Sequence, residues 1–265
     1  MRQQLNINNK IIAKKSLGQN FIQSDKFLIK LSNKIISDEN TDIIEIGPGT
    51  GSLTEHLKRK KFKNLFLIEK DNDLSKLLDE KYKSEKKIKI YNKDVLKFDI
   101  SKVSKSDEII IVGNLPFNIS SQLLINWISI EKWPPFYKKM YLMFQKELGK
   151  RITSEINNKS YGKLSVLVQS RCNIKELIEA PSHIFYPKPK VDGLVLEFTP
   201  IQSYIDVDLK KLMFILRLAF ENRRKKIKNS MSDYRLFFDD WEKDKDLRPE
   251  NLEVKKYCSL AKKIS

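Results

Sequence analysis

The sequence predicts an α/β fold: a seven-stranded, mainly parallel sheet covered by helices, followed by a small helical unit. Three observations carry this expectation. From Thr41 to Pro200 short apolar runs alternate with longer helical patterns, the signature of βαβ units. Most of these runs are near-continuously apolar, as strands are when a sheet is covered on both faces. After Pro200 helical periodicity takes over and strand signals fade. The 265 residues accommodate one large domain with an appendage, divided here at 1–200 and 201–265.

The expected strands are Ile43–Ile46, Leu65–Glu69, Ile88–Tyr91, Ile109–Val112, Lys139–Phe144, Leu164–Gln169 and Leu194–Phe198. The last three leave room for antiparallel pairs. Leu53–Lys61 and Ser121–Ile130 have apolar residues at helical spacing behind turn-rich segments. In the appendage, Leu209–Ser230 and Leu252–Ile264 are the expected helices. The strand-to-helix junctions therefore fall at Gly47–Ser52 and Asn114–Ser120. In open α/β sheets ligands bind outside the carboxyl ends of the strands, so those junctions are where chemistry is expected.

Composition narrows the function classes. Hydrophobic residues are 40% and charged residues 32%, with 8 Gly and 9 Pro, which excludes collagen-like and wholly disordered chains. Fifty-one basic residues against 34 acidic ones leave a net charge of +17, an excess that favours a polyanionic partner, nucleic acid first. No apolar run approaches the ~20 residues of a membrane span. Cys172 and Cys258 lack CxxC partners, so neither a metal site nor a disulfide framework is expected. The basic N-terminus lacks the apolar stretch of a secretory signal, and a cytoplasmic protein is expected.

The first junction reads Ile43-Ile-Glu-Ile-Gly-Pro-Gly-Thr-Gly51. Glycines at 47, 49 and 51 let the backbone turn sharply and let a ligand come close. A dinucleotide fingerprint would be GxGxxG; Ser52 stands where its third glycine belongs, which weakens a nicotinamide cofactor. Glu69 ends the next strand about twenty residues on, where a carboxylate can accept ribose hydroxyls. Asp94 follows the third strand and can receive an adenine amino group, with Val95 or Leu96 covering the ring; a helix cap is its plainer reading. The fourth strand runs into Gly113-Asn-Leu-Pro-Phe117. Asn114 offers a side-chain acceptor, the Leu115 carbonyl is freed because Pro116 cannot donate to a ladder, and Phe117 offers a stacking face. Two acceptors and a ring suit a planar base with an exocyclic amine. An ordinary proline turn would explain Pro116 alone.

With these residues the chain resembles the S-adenosylmethionine-dependent amino-methyltransferases, and more narrowly the ribosomal RNA adenine dimethyltransferases of the kasugamycin-sensitivity family. The supporting segments span nearly the whole chain: Lys15–Ile22, Glu45–Gly51, Gly113–Ser120, Gln145–Glu147, Tyr161–Ser165, Phe185–Val191 and Ala219–Lys225. The resemblance implies a Rossmann-like class I methyltransferase domain with a C-terminal helical rRNA-binding domain. It implies S-adenosylmethionine as methyl donor, with Asn20 and Ile22 at its methionine end, Gly47 and Gly49 at its backbone cleft, Glu69 at the ribose, Asp94 at the adenine, and Asn114 between donor and target. The implied target is two adjacent adenosines near the 3′ end of 16S rRNA in the small ribosomal subunit, with a monomer as the default. Two departures stand out: Gly193 where the family commonly has Ser, and Phe117 where many members carry Tyr.

The expected reaction is attack of the adenine N6 amine on the sulfonium methyl. Asn114 and the Leu115 carbonyl would hold the two N–H bonds so that the lone pair points at the methyl, with Pro116 and Phe117 completing the catalytic segment. Positioning of this kind supplies up to ~7–11 kcal/mol, so no strong base is needed, and His56 and His183 are expected to be surface or packed histidines. Phe117, and by resemblance Phe185, are the expected stacking platforms; Phe185 reads equally as a hydrophobic anchor. Arg217–Lys228 carries six basic residues against Glu221 alone, and Arg223, Arg224 and Lys225 are expected at the RNA backbone, with Lys14, Lys15 and Lys58–Lys63 as weaker candidates. A large-subunit rRNA dimethylase, an assembly factor that only docks, and a DNA adenine methylase are the competing readings. The Phe220–Lys225 and Arg248–Leu252 segments argue against the first of these, and the lack of a separate sequence-recognition domain against the last.

Overall fold

A computed structural model describes residues 13–204 and 206–264. In chain order the elements are β1 (Phe21–Ile22), α1 (Asp25–Lys34), β2 (Asp42–Ile46), α2 (Thr54–Leu57), β3 (Asn64–Glu69), α3 (Asn72–Tyr82), β4 (Ile88–Asn92), β5 (Ile109–Gly113) and α4 (Ser120–Ile128). They continue with β6 (Lys139–Gln145), α5 (Lys146–Ile152), α6 (Lys163–Gln169), β7 (Cys172–Ala180), β8 (Phe185–Tyr186) and β9 (Gly193–Pro200). The C-terminal part holds α7 (Leu209–Glu221), α8 (Ile227–Ser230), α9 (Trp241–Asp244) and α10 (Val254–Lys263).

Seven strands form one sheet in the order β4-β3-β2-β5-β6-β9-β7. The first five are parallel, and β9 runs antiparallel to both β6 and β7. The chain winds from β2 outward to β4 and then crosses back to lay β5 on the other side of β2. That reversal opens a crevice between the carboxyl ends of β2 and β5, where Ile46 lies in register with Gly113. Residues 43–46, 65–69 and 109–113 are buried throughout, which is why they read as continuous apolar runs.

Two expectations need correction. Leu164–Gln169 is not a strand but most of α6, whose Ser165, Val166, Leu167 and Val168 are all buried. A short run buried on every side carries no period by which strand and helix can be told apart. Here the Gly162 amide donates to Ser165 Oγ at 3.1 Å and Ser165 Oγ donates to the Arg151 carbonyl at 2.6 Å, which starts the helix against α5. The seventh strand is instead β7, an edge strand studded with Lys175, Glu176 and Glu179 whose apolar content is too thin to mark it. The helix expected over Leu209–Ser230 is interrupted: Asn222 leaves helical geometry and its carbonyl accepts from the Lys225 amide at 2.7 Å. The arginine-rich segment therefore forms a turn between α7 and α8.

One hydrophobic core runs from the sheet into the C-terminal helices, joining Ile44, Ile111 and Phe198 with Leu212, Leu216, Tyr257 and Leu260. Tyr161 locks this junction by donating from its buried hydroxyl to the Leu252 carbonyl at 3.1 Å.

Candidate active site

The carboxyl ends of β2, β3, β4 and β5, closed over by the segment 16–22, enclose a cavity of about 140 Å³. Asn20, Ile22, Gly47, Gly49, Glu69, Asp94, Asn114, Leu115, Pro116 and Phe117 all line it. Residues as far apart in sequence as Asn20 and Phe117 thus meet in one space. Phe185, Arg223, Arg224 and Lys225 lie outside it.

Gly47 follows β2 with φ +65°, a left-handed conformation that costs an L-residue roughly 1–2 kcal/mol. A Cβ there would point into open space, with its nearest neighbour, the Asn114 carbonyl oxygen, 4.0 Å away. The missing side chain is the floor of the cavity. Gly113 serves differently: a Cβ would come within 2.8 Å of the Leu115 side chain, so glycine is what lets Leu115 fold back into the core and turn the chain at Asn114.

Three carboxyl groups surround the cavity in three different states. Glu69 is buried, its Oε2 accepting from the Gly49 amide at 3.1 Å and its Oε1 from the Asp71 amide at 2.9 Å. Burial raises its pKa against the pull of those amides. Each oxygen keeps a lone pair free for a hydroxyl donor. Glu45, on β2, is also buried and accepts from Thr54 Oγ1 at 2.7 Å; desolvation pushes its pKa up to about 7. Asp94 is held low by Lys70 at 2.9 Å and accepts from the Leu96 amide at 3.1 Å. Asp94 therefore caps the turn after β4 and also lines the cavity.

Segment 16–22 is fastened at both ends. Lys14 Nζ pairs with Asp71 and Asp73, each at 2.8 Å, and Gln19 Nε2 donates to Asp71 at 2.9 Å. At the other end Asn114 Nδ2 donates to the Asn20 carbonyl at 3.0 Å. The Asn114 amide oxygen is thereby turned away from Asn20. The Leu115 carbonyl accepts no hydrogen bond among the described residues. Two unengaged acceptors beside the half-buried Phe117 ring are what a planar base bearing an amine needs. The Lys14–Gln19–Asp71 cluster, and Phe21 in the cavity lining, carry no mark in the sequence, because nothing in local spacing links residues so far apart. Lys15, expected at the RNA, has its side chain outside the described residues.

Other expected residues take structural positions. Phe185 is 3% exposed and packs in the core beside Ile22, the anchor reading rather than the platform reading. His56 is buried, 3.0 Å from Asp25, and His183 is exposed. Arg223 is drawn into the fold, pairing with Glu250 at 3.7 Å and donating to the Lys159 carbonyl, whereas Arg224 and Lys225 are exposed without an ion-pair partner among the described residues. At Gly193 a Cβ would meet Met143 at 3.0 Å; the adjoining loop is anchored by Asp192, which accepts from the Ser182 amide at 2.8 Å.

A family model described as ribosomal RNA adenine dimethylase matches residues 10–264. The Ribosomal RNA small subunit methyltransferase A of Pelagibacter ubique is 40% identical over 258 residues, covering 94% of this chain and 96% of that protein. The protein of the same name from Wolbachia pipientis is 36% identical over 257 residues, covering 95% and 88%. Among solved structures, a dimethyladenosine transferase from Plasmodium falciparum shares the fold with a TM-score of 0.77 at 22% identity, covering 91% of this chain and 95% of that one. The 23S rRNA methyltransferase ErmE does so with a TM-score of 0.64 at 17% identity, covering 91% and 97%.

Proposed function

The chain belongs to the ribosomal RNA adenine dimethylase family, and from that premise we propose that the cavity beside Asn114 is where the reaction takes place. The enzyme is a class I, S-adenosylmethionine-dependent rRNA adenine dimethyltransferase acting on 16S rRNA of the small subunit. Its product is N6,N6-dimethyladenosine at two adjacent positions near the 3′ end.

The residues present fit the methyl donor. The space above Gly47 that a Cβ would enter admits the methionine end, Glu69 keeps lone pairs for the ribose hydroxyls, and Asp94 beside Val95 and Leu96 suits an adenine ring. When bound, S-adenosylmethionine supplies a methyl group on a positively charged sulfur. Asn114 Oδ1 accepts one N–H of the target amine and the Leu115 carbonyl accepts the other. Held this way, the N6 lone pair is withdrawn from the ring and aimed at the methyl, which is positioning rather than base catalysis. The N–H held at Asn114 becomes acidic as N6 gains positive charge, and water then suffices to take its proton. Phe117 covers the flipped base, offsetting part of the few kcal/mol of unstacking. The second methyl requires the monomethylated amine to turn or rebind with a single N–H, and the exposed Asn118 at the rim leaves the mouth open for that.

Residues 1–200 are proposed as the methyl-transfer domain and 201–265 as the rRNA-binding domain, with Arg224 and Lys225 on phosphates. A monomer is the proposed working unit, since all the cavity residues come from one chain, and the cytoplasm is its proposed location, where ribosomal subunits are found. The observation that carries the site assignment is the Asn114–Asn20 hydrogen bond, which orients the acceptor. The test is methyl transfer to small subunits lacking these modifications, with mass spectrometry of rRNA fragments. Two adjacent dimethyladenosines are expected, and their absence from a folded, donor-binding protein overturns the reading.

A further inference from the structure

Beside the cavity stands a second small sheet, β1 paired antiparallel with β8. Its register sets Phe21 opposite Tyr186 and Ile22 opposite Phe185. Paired residues share a face, with Cβ atoms ~4.5–5.5 Å apart, so the ribbon has one buried face and one open one. Ile22 and Phe185 fill the core from the buried face. On the other, Phe21 lines the cavity and lies against Gly49, while Tyr186 is 55% exposed. An aromatic ring more than half open therefore stands beside Phe21, whose own side chain lines the cavity.

The ribbon holds that ring firmly. The Gln23 amide donates to the Ile184 carbonyl at 2.8 Å, and Asp192 ties the far side through the Ser182 amide and the Lys146 amide, both at 2.8 Å. After Tyr186 comes Pro187-Lys-Pro-Lys190, in which both lysines are exposed and have no ion-pair partner among the described residues. Two prolines fix φ at alternate positions, so the two ammonium groups sit on a stiffened segment. A ring for stacking followed by cations for the backbone is the equipment of a single-stranded nucleic-acid platform.

We propose that Tyr186 stacks on the nucleotide adjoining the one in the cavity, with Lys188 and Lys190 on its phosphates. Resting on the dimethylation reading above, this makes the partner adenosine of the target pair the ring's occupant. While one adenosine is in the cavity beside Phe117, the other is held outside on Tyr186, in reach for its own turn. Stacking needs the ring and not the hydroxyl, so Tyr186→Phe is expected to behave as wild type.

The experiment measures methyl transfer to unmodified small subunits, donor affinity by calorimetry, and fluorescence of 2-aminopurine placed at the neighbouring position of a short 3′-end RNA. Tyr186→Ala is expected to raise KM for subunits about tenfold, within the range of base–aromatic stacking, with kcat within twofold, unchanged donor affinity and no quenching of the probe. Lys188→Ala with Lys190→Ala is expected to lower the salt slope of subunit binding by about two, which keeps the idea testable should Tyr186→Ala fail to fold. Unchanged KM and quenching in Tyr186→Ala, an unchanged slope in the lysine double variant, or a Tyr186→Phe as impaired as the alanine overturns the proposal alone. Failure of the wild type to methylate subunits removes the dimethylation reading and this inference with it.

Discussion

Asn114 Nδ2 donates to the Asn20 carbonyl at 3.0 Å, and that bond turns the Asn114 amide oxygen away from Asn20, on a side chain that lines the cavity. Only the NH2 half of the amide can donate. The backbone of the N-terminal segment thus decides the direction of the acceptor on the far side of the cavity.

Removing that relationship is expected to cost activity more than binding. Asn114→Ala should lower kcat about 10²–10³-fold, the scale seen when one pre-aligned hydrogen-bonding group is lost from an active site, while small-subunit binding persists. Asn114→Asp cannot donate to Asn20 and should also loosen the segment over the cavity. Single-turnover methyl transfer and calorimetric donor binding separate the two effects; an Asn114→Ala protein with wild-type kcat would falsify the assignment.

Gly47→Ala places a methyl in the donor's space and strains a φ of +65°. Donor affinity should fall tenfold or more, with a stability loss of about 1–2 kcal/mol. Calorimetry and thermal denaturation read the two parts, and unchanged affinity would mean that the donor does not pass over Gly47.

Glu45 gives the unliganded protein a pH dependence. Its pKa is about 7 when folded, against an ordinary value of 4.5, with burial as the main cause and neighbouring Glu69 adding to it. The folded state therefore holds a proton that the unfolded chain releases between those values, so this contribution is complete below pH 4.5 and is lost as pH rises through 7. The difference amounts to about 3 kcal/mol. Glu45→Gln should flatten the fall in Tm between pH 5 and 8, and a variant that still tracks the wild type across that range would assign the dependence elsewhere.

Lys14 bridges Asp71 and Asp73 from an exposed position, so its hold should weaken with salt. Lys14→Ala is expected to speed donor release several-fold in stopped-flow displacement, and the wild type in high salt should move the same way. An unaltered release rate in both would show that the fastening near Asn114 is enough.

The arginine-rich turn should divide by residue. Arg224→Ala with Lys225→Ala is expected to lower the salt slope of subunit binding by about two and leave the Tm in place. Arg223→Ala, which gives up Glu250 and the Lys159 carbonyl, is expected to lower the Tm instead. Filter binding across a salt series, beside melting curves, tests both.

The places of the parallel strands along the chain and the glycine, Glu69, Asp94 and Asn114 positions were legible in the sequence because each rests on a local rule. A buried parallel strand is an apolar run, a tight strand-to-helix turn needs glycine, and carboxylates at successive strand ends must share one edge of the sheet. Where the rule is not local, the chain left no mark. Leu164–Gln169 became α6 because its surroundings bury it on every side, and β7 is a strand because β9 offers it hydrogen-bonding partners along one edge. Phe185 and Tyr186 are neighbours of similar chemistry, and only pairing with Phe21 and Ile22 decides that the first points into the core and the second outward. The side chains, then, determined which chemistry this protein carries. Tertiary structure decided which of them face the cavity, because direction depends on partners that are distant in sequence and adjacent only after folding.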